Sequence, residues 1–130
     1  MSFAQLLAGL ATAALCTALF QTWHHGRRVH TATTATQVAT HRWWANCSII
    51  CVVGAVLIIE GIVLIAGPGT NRAILPYHLP FAITFVLLLL ILRWAIPGTT
   101  HPHWHRRLAY TCLGCFMAAL GTGGYLFLGH

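Results

Sequence analysis

The run NCSIICVVGAVLIIEGIVLIA (Asn46–Ala66) decides how this chain folds. It has the length of a bilayer crossing, about 20 residues for ~30 Å of hydrocarbon. Its apolar residues do not alternate with polar ones, as a half-buried strand requires. In lipid an isolated strand would also leave backbone groups unpaired at its edges, so the run reads as a helix. Three further runs of the same kind lie on either side of it, at 3–23, 80–96 and 108–128. The third in chain order is the shortest. Pro80 fits its first turn, where an N–H has no partner anyway, and Pro97-Gly98 ends it. The expected fold is all-α and membrane-embedded: a four-helix transmembrane bundle forming one domain over 1–130.

Composition excludes the other classes. The chain is 58% hydrophobic and 6% charged, with a mean hydropathy of +0.76. Soluble domains carry about 25% charged residues, and a short chain has too little interior to hide so much apolar surface. A soluble enzyme and a disordered regulator are excluded on this ground. The net charge of +6 comes from seven arginines against one acid, Glu60. The arginines sit at the edges of apolar runs, not along a phosphate-tracking face, so nucleic acid is not an expected partner.

The same arginines orient the chain. Arg27, Arg28 and Arg42 flank the first connection, and Arg93, Arg106 and Arg107 flank the third. Only Arg72 falls in the second. Positive charge stays in the cytoplasm, which places both termini and the second connection on the non-cytoplasmic side. Trp23, Trp43, Trp44, Trp94 and Trp104 all fall at the cytoplasmic boundary, and Tyr77 and Tyr125 mark the other. Indole suits an interface because its ring is apolar and its N–H seeks water. The N-terminal run lacks the positive start of a signal peptide and is read as a genuine span. The polar segment 24–41 is a cytoplasmic connection that the pattern leaves open between interfacial helix and ordered loop.

Nine histidines carry most of the potential chemistry. Neutral imidazole is the commonest metal ligand and an axial ligand of haem iron. His41 and His105 open the second and fourth spans from the same side. A bis-imidazole haem needs two such residues across a bundle. Arg42, Arg106 and Arg107 would then stand where propionates emerge, as charge-assisted partners. In the run His101-Pro102-His103-Trp104-His105, alternate side chains share a face if the run is extended, a geometry that suits copper or zinc. The plainer alternative is a row of polar anchors beside Trp104, and the same alternative holds for His24, His25 and His30.

Glu60 lies inside a span, where a carboxylate must be neutral or paired. His78 begins the next span near the same membrane face. The pair is read either as a buried hydrogen bond or as shared metal ligation. Cys16, Cys47, Cys51, Cys112 and Cys115 lie in the cytoplasmic half of their spans. They can hold Cu(I) or serve as small packing residues, and no disulfide framework is expected. Gly114, Ala118 and Thr122 form a small-residue row for close helix packing. No nucleophile, base and orienting group recur together and no carboxylates pair, so catalysis is not expected.

Three anchors carry a family resemblance. His41-Arg42 opens the second span, and Tyr77-His78-Leu79-Pro80-Phe81-Ala82 opens the third. His105-Arg106-Arg107-Leu108-Ala109 opens the fourth, which closes on Thr122-Gly123-Gly124-Tyr125-Leu126. From His41 to Leu126 this spacing resembles the CtaM-like family of small four-helix membrane proteins, linked to cytochrome oxidase assembly. The family pattern has a further histidine near the end of the second span. Here that region reads Glu60-Gly61-Ile62-Val63. The resemblance implies an accessory protein of a prokaryotic cytoplasmic (inner) membrane that handles haem or copper beside a larger respiratory complex. The expected cofactor is haem b, with copper as the alternative. Two other readings stay open: a small b-type cytochrome held by His41 and His105, and a structural subunit of a larger membrane complex.

Overall fold

The first, second and fourth apolar runs become helices longer than the runs themselves, and the third becomes a helix that starts five residues before its run. Helix α1 spans Phe3–Thr31, α2 spans Ala35–Ala66, α3 spans Leu75–Leu90 and α4 spans Pro102–Leu128. A π-helical turn, Ile91–Ala95, continues α3. The structure, a computed structural model, describes residues 3–31, 34–66, 75–95 and 101–128. Among these no strand occurs. Gln5–Val29, Ala35–Ile59 and Leu75–Ala95 are long and apolar enough to cross a membrane.

The connection 24–41 is helical from 24 to 31 and again from 35 to 41. No proline interrupts it, so polar residues simply extend the helices beyond their apolar parts. Thr34 caps α2. Its Oγ1 accepts from the Gln37 N–H at 3.2 Å, and Gln37 Oε1 accepts from the Thr34 N–H at 3.2 Å. This reciprocal box satisfies N–H groups that the first turn leaves unpaired.

Two expectations about helix starts are corrected. Helix α3 begins at Leu75, so Pro76 occupies its first turn and Pro80 lies inside it. Pro80 cannot donate to the carbonyl four residues back, and that carbonyl belongs to Pro76. The run His101–His105 is not extended. Pro102 opens α4, and the His105 N–H donates to the His101 carbonyl at 2.9 Å. Alternate histidines therefore do not share a face there; His101 and His105, four apart, do.

The chain divides into two compact units, Met1–Ile65 and Ala66–His130. In the first, α1 and α2 form an antiparallel hairpin. Leu15, Ala18 and Thr22 line one face of α1, and Ser48 and Val52 line one face of α2. Ser48 is fully buried and its Oγ lies 3.0 Å from Thr22 Oγ1.

In the second unit α3 and α4 are antiparallel. Phe85 and Leu89 on α3 are buried, as are Cys112, Phe116 and Ala119 on α4. The Phe85 and Phe116 rings lie 5.2 Å apart at 44°, and the Cys112 thiol donates weakly to the Phe85 carbonyl at 3.8 Å. The expected small-residue row meets this interface only in part: Thr122 reaches His78 across it at 3.0 Å. Gly114 is exposed with nothing near it, because the Phe116 ring claims the interface one face over. Many large apolar side chains, Ile50, Leu57, Ile83, Leu87 and Met117 among them, are exposed. Lipid tails are as apolar as these side chains, so such helices associate by shape and hydrogen bonding.

Candidate functional site: two histidines seated on glycines

His41 stands in the second turn of α2, opposite the last turns of α1. Its Nδ1 is 3.0 Å from the Thr22 carbonyl oxygen. A carbonyl can only accept, so the ring donates. The neutral ring is therefore the Nδ1–H tautomer, with the lone pair on Nε2. The imidazole packs against Gly26 with its Cε1 corner nearest: a methyl there would meet His41 Cε1 at 3.0 Å and Nδ1 at 3.3 Å. The close approach favours glycine, because a methyl would make the ring give by a few tenths of an ångström against its bond to Thr22.

His78, in the first turn of α3, repeats the arrangement on the second hairpin. Its Nδ1 lies 3.0 Å from Thr122 Oγ1. The single hydroxyl proton of Thr122 is directed at the Ala118 carbonyl, 2.8 Å away, and shared with that of Ala119 at 3.2 Å. With that proton given to the backbone the oxygen accepts from the ring, and neutral His78 is then also the Nδ1–H tautomer. Its seat is Gly123, where a methyl would meet Cε1 at 3.0 Å.

In each hairpin a histidine at the start of one helix rests on a glycine near the end of the antiparallel partner. A hydrogen bond from Nδ1–H fixes both ring angle and tautomer, which is how proteins prepare Nε2 to ligate a metal. His41 and His78 are among the candidates expected from sequence. Their partners Thr22, Gly26 and Gly123 are not. The signal available was a Thr close before a Gly in the last turns of α1 and α4, facing a His across the hairpin.

The other expected residues are placed as follows. His105 is half-buried in the first turn of α4, with Arg106 and Arg107 exposed beside it. Arg42 is exposed on α2, and His101 and His103 are exposed at the start of α4. His41 and His105 belong to different units. Glu60 lies on α2, but its side chain falls outside the described residues, as do those of His30 and His130. Near the end of α1, His24 stacks on Phe20 at 6.1 Å and meets His25 edge-on at 5.6 Å. Three arginines stack on tryptophans: Arg27 on Trp23 at 5.1 Å, Arg93 on Trp94 at 5.7 Å and Arg107 on Trp104 at 5.9 Å. Among the described residues, no three of His, Cys, Asp and Glu converge on a point that would hold a metal ion.

No family model matches this chain, and neither a curated protein nor a solved structure is significantly similar to it.

Proposed function

We propose that this chain is an integral membrane accessory protein that handles haem or copper through imidazole nitrogens, as the oxidase assembly factors that it resembles are expected to do. One observation carries the reading: His41 and His78 each commit Nδ1–H to a fixed acceptor while seated on a glycine. That leaves the ligating lone pair on Nε2 in the neutral ring. A ring with free rotation must lose entropy on ligation; a seated ring has lost it already.

Haem suits histidines presented one at a time because the porphyrin supplies four of the iron's ligands and the protein needs to add only one or two. On this reading haem b is the first cofactor to test, with copper second. Arg42 and Arg106 serve as propionate partners, and His105 is the further imidazole that the sequence pairs with His41. Helix α4 counts as the fourth span, both termini lie on the non-cytoplasmic side, and the partner is a larger complex of a prokaryotic cytoplasmic membrane such as a respiratory oxidase.

Absorption spectra of the purified protein, oxidised and reduced, together with metal analysis, test this directly. Haem or copper should be present or taken up from solution. His41→Ala should remove most of it while the helical content stays unchanged. Failure of the wild-type protein to retain either group, as isolated or after addition, would overturn the reading.

A further inference from the structure

We propose that Cys47 and Cys51 form a two-coordinate site for cuprous ion on the flank of the first hairpin. Helix α2 runs unbroken from Ala35 to Ala66. The two residues, four apart, therefore stand one above the other, with Cβ atoms about 5–6 Å apart. Both carry free, half-buried thiols. Each directly precedes a residue of the buried seam, Ser48 or Val52, so the pair runs along one edge of the contact with α1. Helical side chains lean toward the N-terminus, so Cys51 leans toward Cys47, and Cys47 toward Trp43. There the surface is hollowed: Ala39, Thr40, Trp43 and Trp44 line an open concavity of about 490 Å³, one turn before Cys47. An ion arriving from the polar end of the hairpin has an entry path to the first thiol.

The donor set selects the metal. Thiolates are soft ligands and favour Cu(I) over harder ions. Cuprous ion is satisfied by two sulfurs, whereas a structural zinc takes four ligands. On binding, two S–H bonds give up their protons to water, two Cu–S bonds form and copper stays in the +1 state. The resulting bis-thiolate carries one negative charge. Arg27, Arg28 and Arg42 all lie toward this end of the hairpin and Glu60 toward the other, so that charge meets a favourable field. The closely spaced pair on α4, Cys112 and Cys115, is less suited. Cys112 is buried and its thiol is turned to the Phe85 carbonyl at 3.8 Å. The assignment uses none of the histidines, so it stands or falls apart from the imidazole reading.

The test titrates the full chain in detergent with Cu(I), kept reduced by ascorbate without air, against the chelator bicinchoninate. The wild-type chain should retain a single cuprous ion, with only sulfur in its first shell by X-ray absorption. Cys47→Ala and Cys51→Ala should each weaken retention by more than about 100-fold, beyond the usual loss of a partner that merely orients a ligand. Cys112→Ala and His41→Ala should leave it unchanged. Nitrogen in the first shell of the wild-type protein would overturn the proposal, and this measurement decides the matter if the alanine variants fail to fold. So would failure of the wild-type chain to retain Cu(I), or wild-type retention by folded Cys47→Ala. Loss of the ion in His41→Ala with retention in both cysteine variants would assign it to imidazole and overturn the proposal as well.

Discussion

His78 donates to the Thr122 hydroxyl, and that hydroxyl donates onward to the Ala118 carbonyl, so one direction of hydrogen bonding runs from the imidazole into the backbone of α4. The direction follows from the single Thr122 proton going to the backbone; were it turned to Nδ1, the bond would run the other way. At His41 the path is shorter, because the ring donates straight to the Thr22 carbonyl. In both hairpins the basic nitrogen of the neutral ring is Nε2.

Nitrogen-15 spectra of histidine-labelled protein should therefore show His78 as the Nδ1–H tautomer. Thr122→Val removes the acceptor and should mix the tautomers. Thr122→Ser keeps the hydroxyl and should preserve the signature. A wild-type His78 protonated at Nε2 alone would contradict the hydrogen-bond direction.

Gly26→Ala and Gly123→Ala place a methyl 3.0 Å from Cε1 of His41 and of His78. Alanine favours a helix over glycine by about 1 kcal/mol, which offsets part of the crowding. Unfolding midpoints should move little, while the displaced ring weakens its Nδ1–H bond. Any haem or copper held through that ring should fall about 10–100-fold in affinity, the usual effect of losing a partner that orients a ligand. Titration of each variant measures this.

Ser48 is fully buried and its hydroxyl also lies 3.0 Å from the Trp44 carbonyl. Ser48→Ala leaves Thr22 its own bond to the Ala18 carbonyl and should cost about 0.6 kcal/mol, the average for such contacts in lipid. Ser48→Leu has no space to enter and should separate α1 from α2. Unfolding in mixed micelles should rank the three proteins in that order.

The orientation argued from arginines predicts thiol accessibility. In a cysteine-free variant, a new cysteine at Asn71 should react with an impermeant reagent in intact cells, and one at Thr99 should not. The reverse pattern would invert the topology.

The helices were legible because apolar length is a local property, visible in 46–66 without knowledge of neighbours. Their ends were less so. Thr34 and Gln37 form a capping box readable as T-x-x-Q, yet no apolar boundary marks it, and Pro76 competes with Pro80 for the first turn of α3. The histidines stood out by type alone. Their seats did not, because a glycine under a ring is a fact about two helices. Nothing in the residues around Gly26 or Gly123 states what the facing helix brings. The choice of Phe116 over Gly114 as the buried face of α4 has the same cause: it depends on Phe85, 31 positions upstream of Phe116.

The π-helical turn at Ile91–Ala95 makes the end of α3 unusually tolerant of a shortened chain. Such a turn holds one residue more than an α-helical turn, as if a single insertion had been absorbed without disturbing what precedes or follows it. Removing Leu92 should let the segment close into regular α-helix while Phe85 and Leu89 keep their places against α4. Removing one residue near Leu87 would instead turn everything on one side of the cut by about 100°, the angle per residue of an α-helix, and would pull Leu89 out of the interface. One-residue deletions scanned along 82–95 should therefore be harmful until they reach the wide turn, and mild within it.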